Sequence, residues 1–145
     1  MKVAIGSDHA GFELKKMIKG KIEKIEFIDV GTFSEESCDY PDYISKVALS
    51  VKDGEAELGI AICGTGIGAS MTANKVSGIR AALCFNEFMA EMSKMHNNAN
   101  VLVLGSRVIG SDLAIRIVER WLKSSFEGGR HQRRIDKIAE IEAKH

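Results

Sequence analysis

Two short segments of this chain set proton-moving side chains beside glycines. One is Ser7-Asp8-His9-Ala10-Gly11, a carboxylate and an imidazole ahead of a glycine. The other is Cys63-Gly64-Thr65-Gly66-Ile67-Gly68, a thiol followed by a glycine-rich loop. Glycines let a backbone approach a ligand closely and aim several N–H groups at one point. Such a cradle suits a phosphate or an oxyanion that develops during reaction. A tight strand-to-helix turn is the plainer reading, but one glycine would serve it. Free N–H groups at the start of a helix favour a thiolate, the form of Cys63 that acts as base or nucleophile. A free cysteine is more often a small buried hydrophobe. That plainer role is expected for Cys84, at the end of an apolar run, whereas the position of Cys63 favours chemistry. Cys38 lies in a polar loop and receives no role.

His96 heads Asn97-Asn98-Ala99-Asn100. A histidine works as an acid or base near neutral pH. At a helix end it also complements the dipole, and the two readings carry equal weight. Arg130 and Arg134 share a helix face, and Arg107 follows a later apolar run. Their forked donors suit a phosphate, although Arg-His-Gln-Arg-Arg commonly marks a solvated basic face. His131 and His145 are read as surface residues. Metal sites need convergent ligands, and no local spacing of His, Cys or carboxylate supplies them, so no metal is expected.

The glycine loop also fits a permissive dinucleotide pattern, Gly64-x-Gly66-x-x-Ala69, with Glu87 at the distance of a ribose contact. That reading ranks lower, because the pattern belongs on a first strand and 145 residues leave no room for a substrate domain. A cysteine-phosphatase loop needs Arg where Ala69 stands.

These groups need elements to hold them. Apolar runs predict strands over residues 2–6, 26–30, 58–62, 80–84 and 101–105. Helical spacing predicts helices over 12–22, 40–51, 69–75, 86–96, 111–126 and 130–144, with Pro41 at a helix start and Ser111 as a cap. Alternation of this kind implies a parallel sheet covered on both faces. Ligands in such sheets bind at the carboxyl ends of strands. The clusters after the first and third strands therefore meet if those strands are neighbours. His96 falls at the amino end of the fifth strand instead. A strand separates its two edges by roughly 17–20 Å. If Cys63 and His96 act together, two subunits must supply them.

Bulk composition narrows the class. Lys plus Arg is 20 and Asp plus Glu is 20, so no global charge draws the chain to nucleic acid or an anionic membrane. The opening MKVAIGSDHAG reads as a first strand rather than a signal peptide, and no apolar run reaches the ~20 residues of a membrane span. Three widely spaced cysteines suggest neither a disulfide framework nor a zinc knuckle, and cytoplasm is the expected location.

Taken in order, Ser7-Asp8-His9-Ala10-Gly11, Cys63-Gly64-Thr65-Gly66-Ile67-Gly68, His96-Asn97-x-Ala99-Asn100 and Gly129-Arg130-His131-x-x-Arg134 resemble the type B ribose-5-phosphate isomerase family. That family includes galactose-6-phosphate and allose-6-phosphate isomerases. The resemblance covers nearly the whole chain. It implies a Rossmann-like, three-layer α/β/α sandwich with a five-stranded parallel sheet, a single domain over 1–145, and a homodimer or dimer of dimers with residues 130–145 packed on a partner. It implies aldose–ketose isomerisation through a cis-enediolate in the non-oxidative pentose phosphate pathway, with no cofactor. Cys63 would be the base, and Gly64, Thr65, Gly66, Ile67 and Gly68 would supply N–H groups. His96 from the other subunit would open the furanose ring, with Asp8 and Thr65 nearby. Asn97 would hold a sugar hydroxyl. His9, Arg107, Arg130 and Arg134 would grip the phosphate. Some relatives use a glutamate just after the loop as base, but Ala69-Ser70-Met71 leaves Cys63 as the candidate here. The rival readings are a flavodoxin-like or dinucleotide-binding module and a non-catalytic sugar-phosphate sensor.

Overall fold

The computed structural model describes residues 1–145. Five strands, β1 (Lys2–Ser7), β2 (Glu26–Asp29), β3 (Leu58–Cys63), β4 (Ala81–Leu83) and β5 (Val101–Gly105), form one parallel sheet in the order β2-β1-β3-β5-β4. The helices are α1 (Phe12–Lys21), α2 (Tyr40–Lys52), α3 (Ile67–Ala73), α4 (Glu87–Met95), α5 (Ser111–Lys123) and α6 (Arg130–Lys144), and a short 3-10 turn spans His9–Gly11.

Successive strand residues point to opposite faces, and this sheet sorts them by size. Val3, Ile5, Ile60, Ile62, Leu102 and Leu104 pack with Trp121 and the apolar residues of α1 and α5. Ala4, Ala61, Cys63, Val101 and Val103 face α2 and α3, where Ile44, Val47, Ala48, Ala69 and Ala73 complete a second core. The central strands β1, β3 and β5 are thus buried on both sides, which is why their runs read as continuously apolar. Gly59 is needed on the α2 side, because a Cβ there would lie 2.7 Å from Val47 Cγ1.

The strands pair β1 with β3, as the joint crevice requires. Chain direction across the sheet reverses at that pair, so the turns leaving β1 and β3 flank a switch point. The loop after β2 is clipped beside them. Lys15, 1% exposed, binds Asp29 Oδ1 at 2.8 Å and the Thr32 carbonyl, while Lys19 holds Asp29 Oδ2 at 2.9 Å. The Gly31 N–H donates to Asp29 Oδ1 at 2.9 Å, and Ser7 of β1 donates its N–H to the Gly31 carbonyl and accepts the Thr32 N–H on its own carbonyl, each at 2.8 Å.

Several element bounds differ from the sequence expectation. The α3 helix starts at Ile67 rather than Ala69, because Gly66 takes a left-handed φ of 82° and turns the chain directly into it. Strand β4 is shorter than 80–84, and α5 ends at Lys123, short of Phe126. Ser111 is the first helical residue of α5 and not its cap; Gly110 holds that place without a side-chain bond. At α4 the side chain of Asn86 does cap, accepting the Met89 N–H at 2.8 Å. The α6 helix docks on its own chain through buried His131 and Ile135, and Glu142 Oε1 accepts the Gly78 N–H at 2.6 Å. Ile138 and Ile141 on α6 stay exposed.

Candidate active site

The end of β3 builds the centre of the site. Cys63 is 5% exposed, and the Gly66 N–H donates to its Sγ at 3.2 Å. The positive φ of Gly66 aims that donor. The Ile67 N–H is taken by Thr65 Oγ1 at 3.2 Å. The N–H groups of Gly64, Thr65 and Gly68 have no acceptor within the chain. The five-residue N–H cradle foreseen from sequence therefore divides: Gly66 and Ile67 serve the loop itself, and Gly64, Thr65 and Gly68 remain for a ligand.

Neighbouring strand ends lock this loop. A Cβ on Gly105 would stand 2.4 Å from the Thr65 carbonyl oxygen, so β5 must end in glycine for the loop to lie there. Ser106 donates its N–H to the Cys63 carbonyl at 2.9 Å and its hydroxyl to Ala10 O at 2.8 Å, joining the turns after β1, β3 and β5. The Arg107 N–H binds the Gly64 carbonyl at 2.9 Å, which lays its guanidinium across the glycine loop. Asp8, 6% exposed, accepts the Gly11 N–H on its side chain at 3.2 Å, and its own N–H donates to the Ile62 carbonyl at 3.3 Å, which holds it against β3. Asp8, Cys63, Gly64, Thr65 and Arg107 line a cleft of about 460 Å³ together with Ile67 and Gly68. Tyr40 and Met71 close its side. That volume lies within the range of small-ligand pockets.

His9 stands on the adjoining turn. Its Nδ1 accepts the Cys38 N–H at 3.2 Å, which leaves its proton on Nε2. The Cys38 sulfur lies 4.0 Å from the same nitrogen. Cys84 is inert by comparison, since burial pushes its thiol up to about 11.

The other foreseen residues collect elsewhere. His96 caps the carboxyl end of α4, and Asn97 lines a separate cleft with Arg80 and Ile138. Val101 of β5 pairs with Gly59, four positions before Cys63. Strand rise alone puts the level of Val101 about 13 Å from Cys63, and His96 precedes Val101. Cys63 and His96 of one chain are therefore not brought together. His96 instead stacks on His131, with ring centroids 4.2 Å apart and planes 12° from parallel. Arg130 and Arg134 flank that pair, close enough to hold His131 toward its neutral form.

His131 is the largest departure from the sequence reading. It is 4% exposed rather than a surface residue. Burial first, then His96, Arg130 and Arg134, depress its pKa below the ordinary histidine value, and Glu127 opposes them. Ligand atoms of His96, Glu127 and His131 lie within 4.8 Å of one another. Two stacked rings, however, hold their in-plane lone pairs in parallel planes, so these do not converge on one ion. Tyr40, Met71, Ser106 and Glu127 were also absent from the sequence-derived set. Only the spacing Glu127-x-x-x-His131, one helical turn, offered a local signal.

The fold and the cleft together define a small α/β protein with a thiol, an N–H cradle and an arginine at a switch point. The sequence profile of the Ribose/Galactose Isomerase family matches residues 3–138, and the chain belongs to that family. It is 51% identical to ribose-5-phosphate isomerase B of Escherichia coli, over 97% of this chain and 96% of the relative. The solved ribose-5-phosphate isomerase B of Clostridium thermocellum superposes with a TM-score of 0.97 at 57% identity, covering 99% of each chain. The Mycoplasma genitalium enzyme, solved with bound ribulose-5-phosphate, superposes with a TM-score of 0.93 at 46% identity, covering 99% of this chain and 97% of that one.

Proposed function

We propose that the chain interconverts ribose 5-phosphate and ribulose 5-phosphate. The observation that carries this reading is the Cys63 thiol, held by the Gly66 N–H in a cleft where other N–H groups are free and Arg107 is at hand. The Cys63 thiolate takes the C2 proton of the open-chain aldose, and the electron pair forms a cis-enediolate. Free N–H donors of Gly64, Thr65 and Gly68 stabilise the developing oxyanion. The same thiol returns the proton to C1, and the C2 hydroxyl proton passes to the C1 oxygen, which leaves a C2 carbonyl and a C1 hydroxymethyl, the ketose. Electrons stay within the substrate, so the reaction needs no redox carrier and no cofactor.

Ring opening precedes this step. His96 of a second subunit acts as the acid at the ring oxygen, with Asp8 and Thr65 beside the sugar, and Asn97 holds a hydroxyl. His9 and Arg107 from one chain and Arg130 and Arg134 from the other clamp the phosphate, and the clamp holds the reacting carbons still. A homodimer, or a dimer of dimers, follows from the separation of the two clusters, and the outer face of 130–145 meets the partner. The proposed location is the cytoplasm: all three cysteines are free, and no helix is long and apolar enough to cross a membrane.

The test is ketose formation from ribose 5-phosphate by wild type and by Cys63→Ala, with a metal chelator present. The expected result is robust wild-type turnover that ignores the chelator and falls by at least about 10³-fold in the variant. Turnover of allose 6-phosphate or galactose 6-phosphate in place of ribose 5-phosphate would keep the chemistry and change the substrate. An active Cys63→Ala would refute the assignment of the base.

A further inference from the structure

We propose that His131 is a positioning residue for His96, a flat buried shelf that aims the imidazole at a neighbouring subunit's sugar ring. The inference rests on the isomerase reading above and goes beyond it by assigning a residue that does not touch substrate.

The shelf is built by the chain and not by chance contact. Gly128 and Gly129 both adopt positive φ, 72° and 56°, and turn the chain leaving α5 back into α6. The Glu127 N–H donates to the Met95 carbonyl at 3.1 Å, so the linker is stitched to the residue before His96. His131 then lands in the first turn of α6, under the His96 ring at 4.2 Å between centroids. Glu127 Oε2, 3.5 Å from His131 Nε2, borders the lower ring. That Nε2 is buried and makes no hydrogen bond, a cost that a plain apolar side chain would avoid. What the ring contributes is a flat face parallel to that of His96.

The effect on His96 is geometric. At the end of α4 an imidazole turns about two side-chain torsions, and an acid must lie within about 2.6–3.2 Å of its target. Parallel stacking removes the orientations that tilt the His96 ring away from the His131 plane. His131, kept toward neutrality by burial and its cationic neighbours, offers the His96 ring a flat face that carries no charge of its own.

The experiment uses full-length wild type, His131→Ala and His131→Phe, and measures two rates. The first is ribulose 5-phosphate formation from furanose ribose 5-phosphate, which requires ring opening. The second is deuterium uptake at C1 of ribulose 5-phosphate in D₂O. That ketose is acyclic because its C5 oxygen carries the phosphate, so uptake needs Cys63 and the N–H cradle but no ring opening. His131→Ala is expected to lower the first rate about tenfold or more and leave the second within about twofold. His131→Phe restores a flat surface and most of the first rate. If the alanine variant does not fold, His131→Leu, which keeps apolar bulk without a plane, takes its place. Equal loss of both rates would mark a general structural or phosphate-clamp defect and overturn the proposal. So would turnover unaffected by alanine or leucine, or a phenylalanine variant as slow as they are. A wild type that fails to convert ribose 5-phosphate overturns the functional reading itself, an outcome distinct from an active enzyme indifferent to residue 131.

Discussion

Two inactive variants should make an active enzyme when mixed. Cys63 lies opposite Gly105 at the carboxyl end of the sheet, and Val101, which follows His96 in the chain, pairs with Gly59 near the other end. The intervening strand rise of about 13 Å exceeds by fourfold or more the reach of a general acid. Cys63→Ala and His96→Gln are each expected to be nearly inactive on ribose 5-phosphate. In a twofold dimer with shared sites, a mixed pair holds one site in which Cys63 and His96 are both intact and one in which both are lost. Random exchange at equal concentrations makes half of all dimers mixed, and half of their sites whole, so activity should recover to about one quarter of wild type. A dimer of dimers gives the same fraction if each site is shared within one dimer. The assay is ketose formation before and after subunit exchange, with mixed dimers verified by native mass spectrometry. Mixed dimers that show no more activity than the sum of the two parents would refute the shared site. They would require His96 to act within its own chain or not at all.

Two further perturbations test how the frame holds the site. Gly66→Ala forces a side chain into φ of 82° and sets its Cβ 2.4 Å from Leu83 Cδ1 and 3.2 Å from the Leu104 carbonyl carbon. Left-handed backbone (about 1–2 kcal/mol) and overpacking (about 1–3 kcal/mol) together predict a stability loss of about 2–5 kcal/mol by urea denaturation, with reduced turnover because the Sγ donor is displaced. A loss under about 0.5 kcal/mol would contradict the crowding. Asp29 supplies the pH test. Burial pushes its pKa up, but bonds from Lys15, Lys19 and the Gly31 N–H outweigh this and leave it below the ordinary value. The unfolded chain then binds the proton more readily, so this contribution is present above about pH 4 and is lost as pH falls through the folded value. Asp29→Asn should flatten that acid limb and, by stranding buried Lys15, cost about 3–5 kcal/mol at neutral pH. An unchanged acid limb would show that Asp29 does not carry it.

What the sequence disclosed and what it withheld divide along one physical line. Strands and the glycine loop were legible because burial on both faces and tight backbone turns act on consecutive residues. The Ile and Leu of β3 and β5, and the glycines after Cys63, declare themselves within a few positions. Strand order was not so written: β5 lies between β3 and β4, and nothing local to those runs says which edge each one seeks. His131 was misread for the same reason. Arg-His-Gln-Arg-Arg has the composition of a wet surface, and only the return of α6 over the end of α4, set by Gly128 and Gly129, puts one member of that run beneath His96. The separation of His96 from Cys63 could nonetheless be foreseen, because it depends on which strand end each residue occupies and not on strand order. A parallel sheet gives every strand the same direction, so a residue before one strand and a residue after another stand at opposite edges whatever the arrangement between them. That is why the proposal of a two-subunit site can be reached from one chain, while the stacking of His131 under His96 becomes visible only in three dimensions.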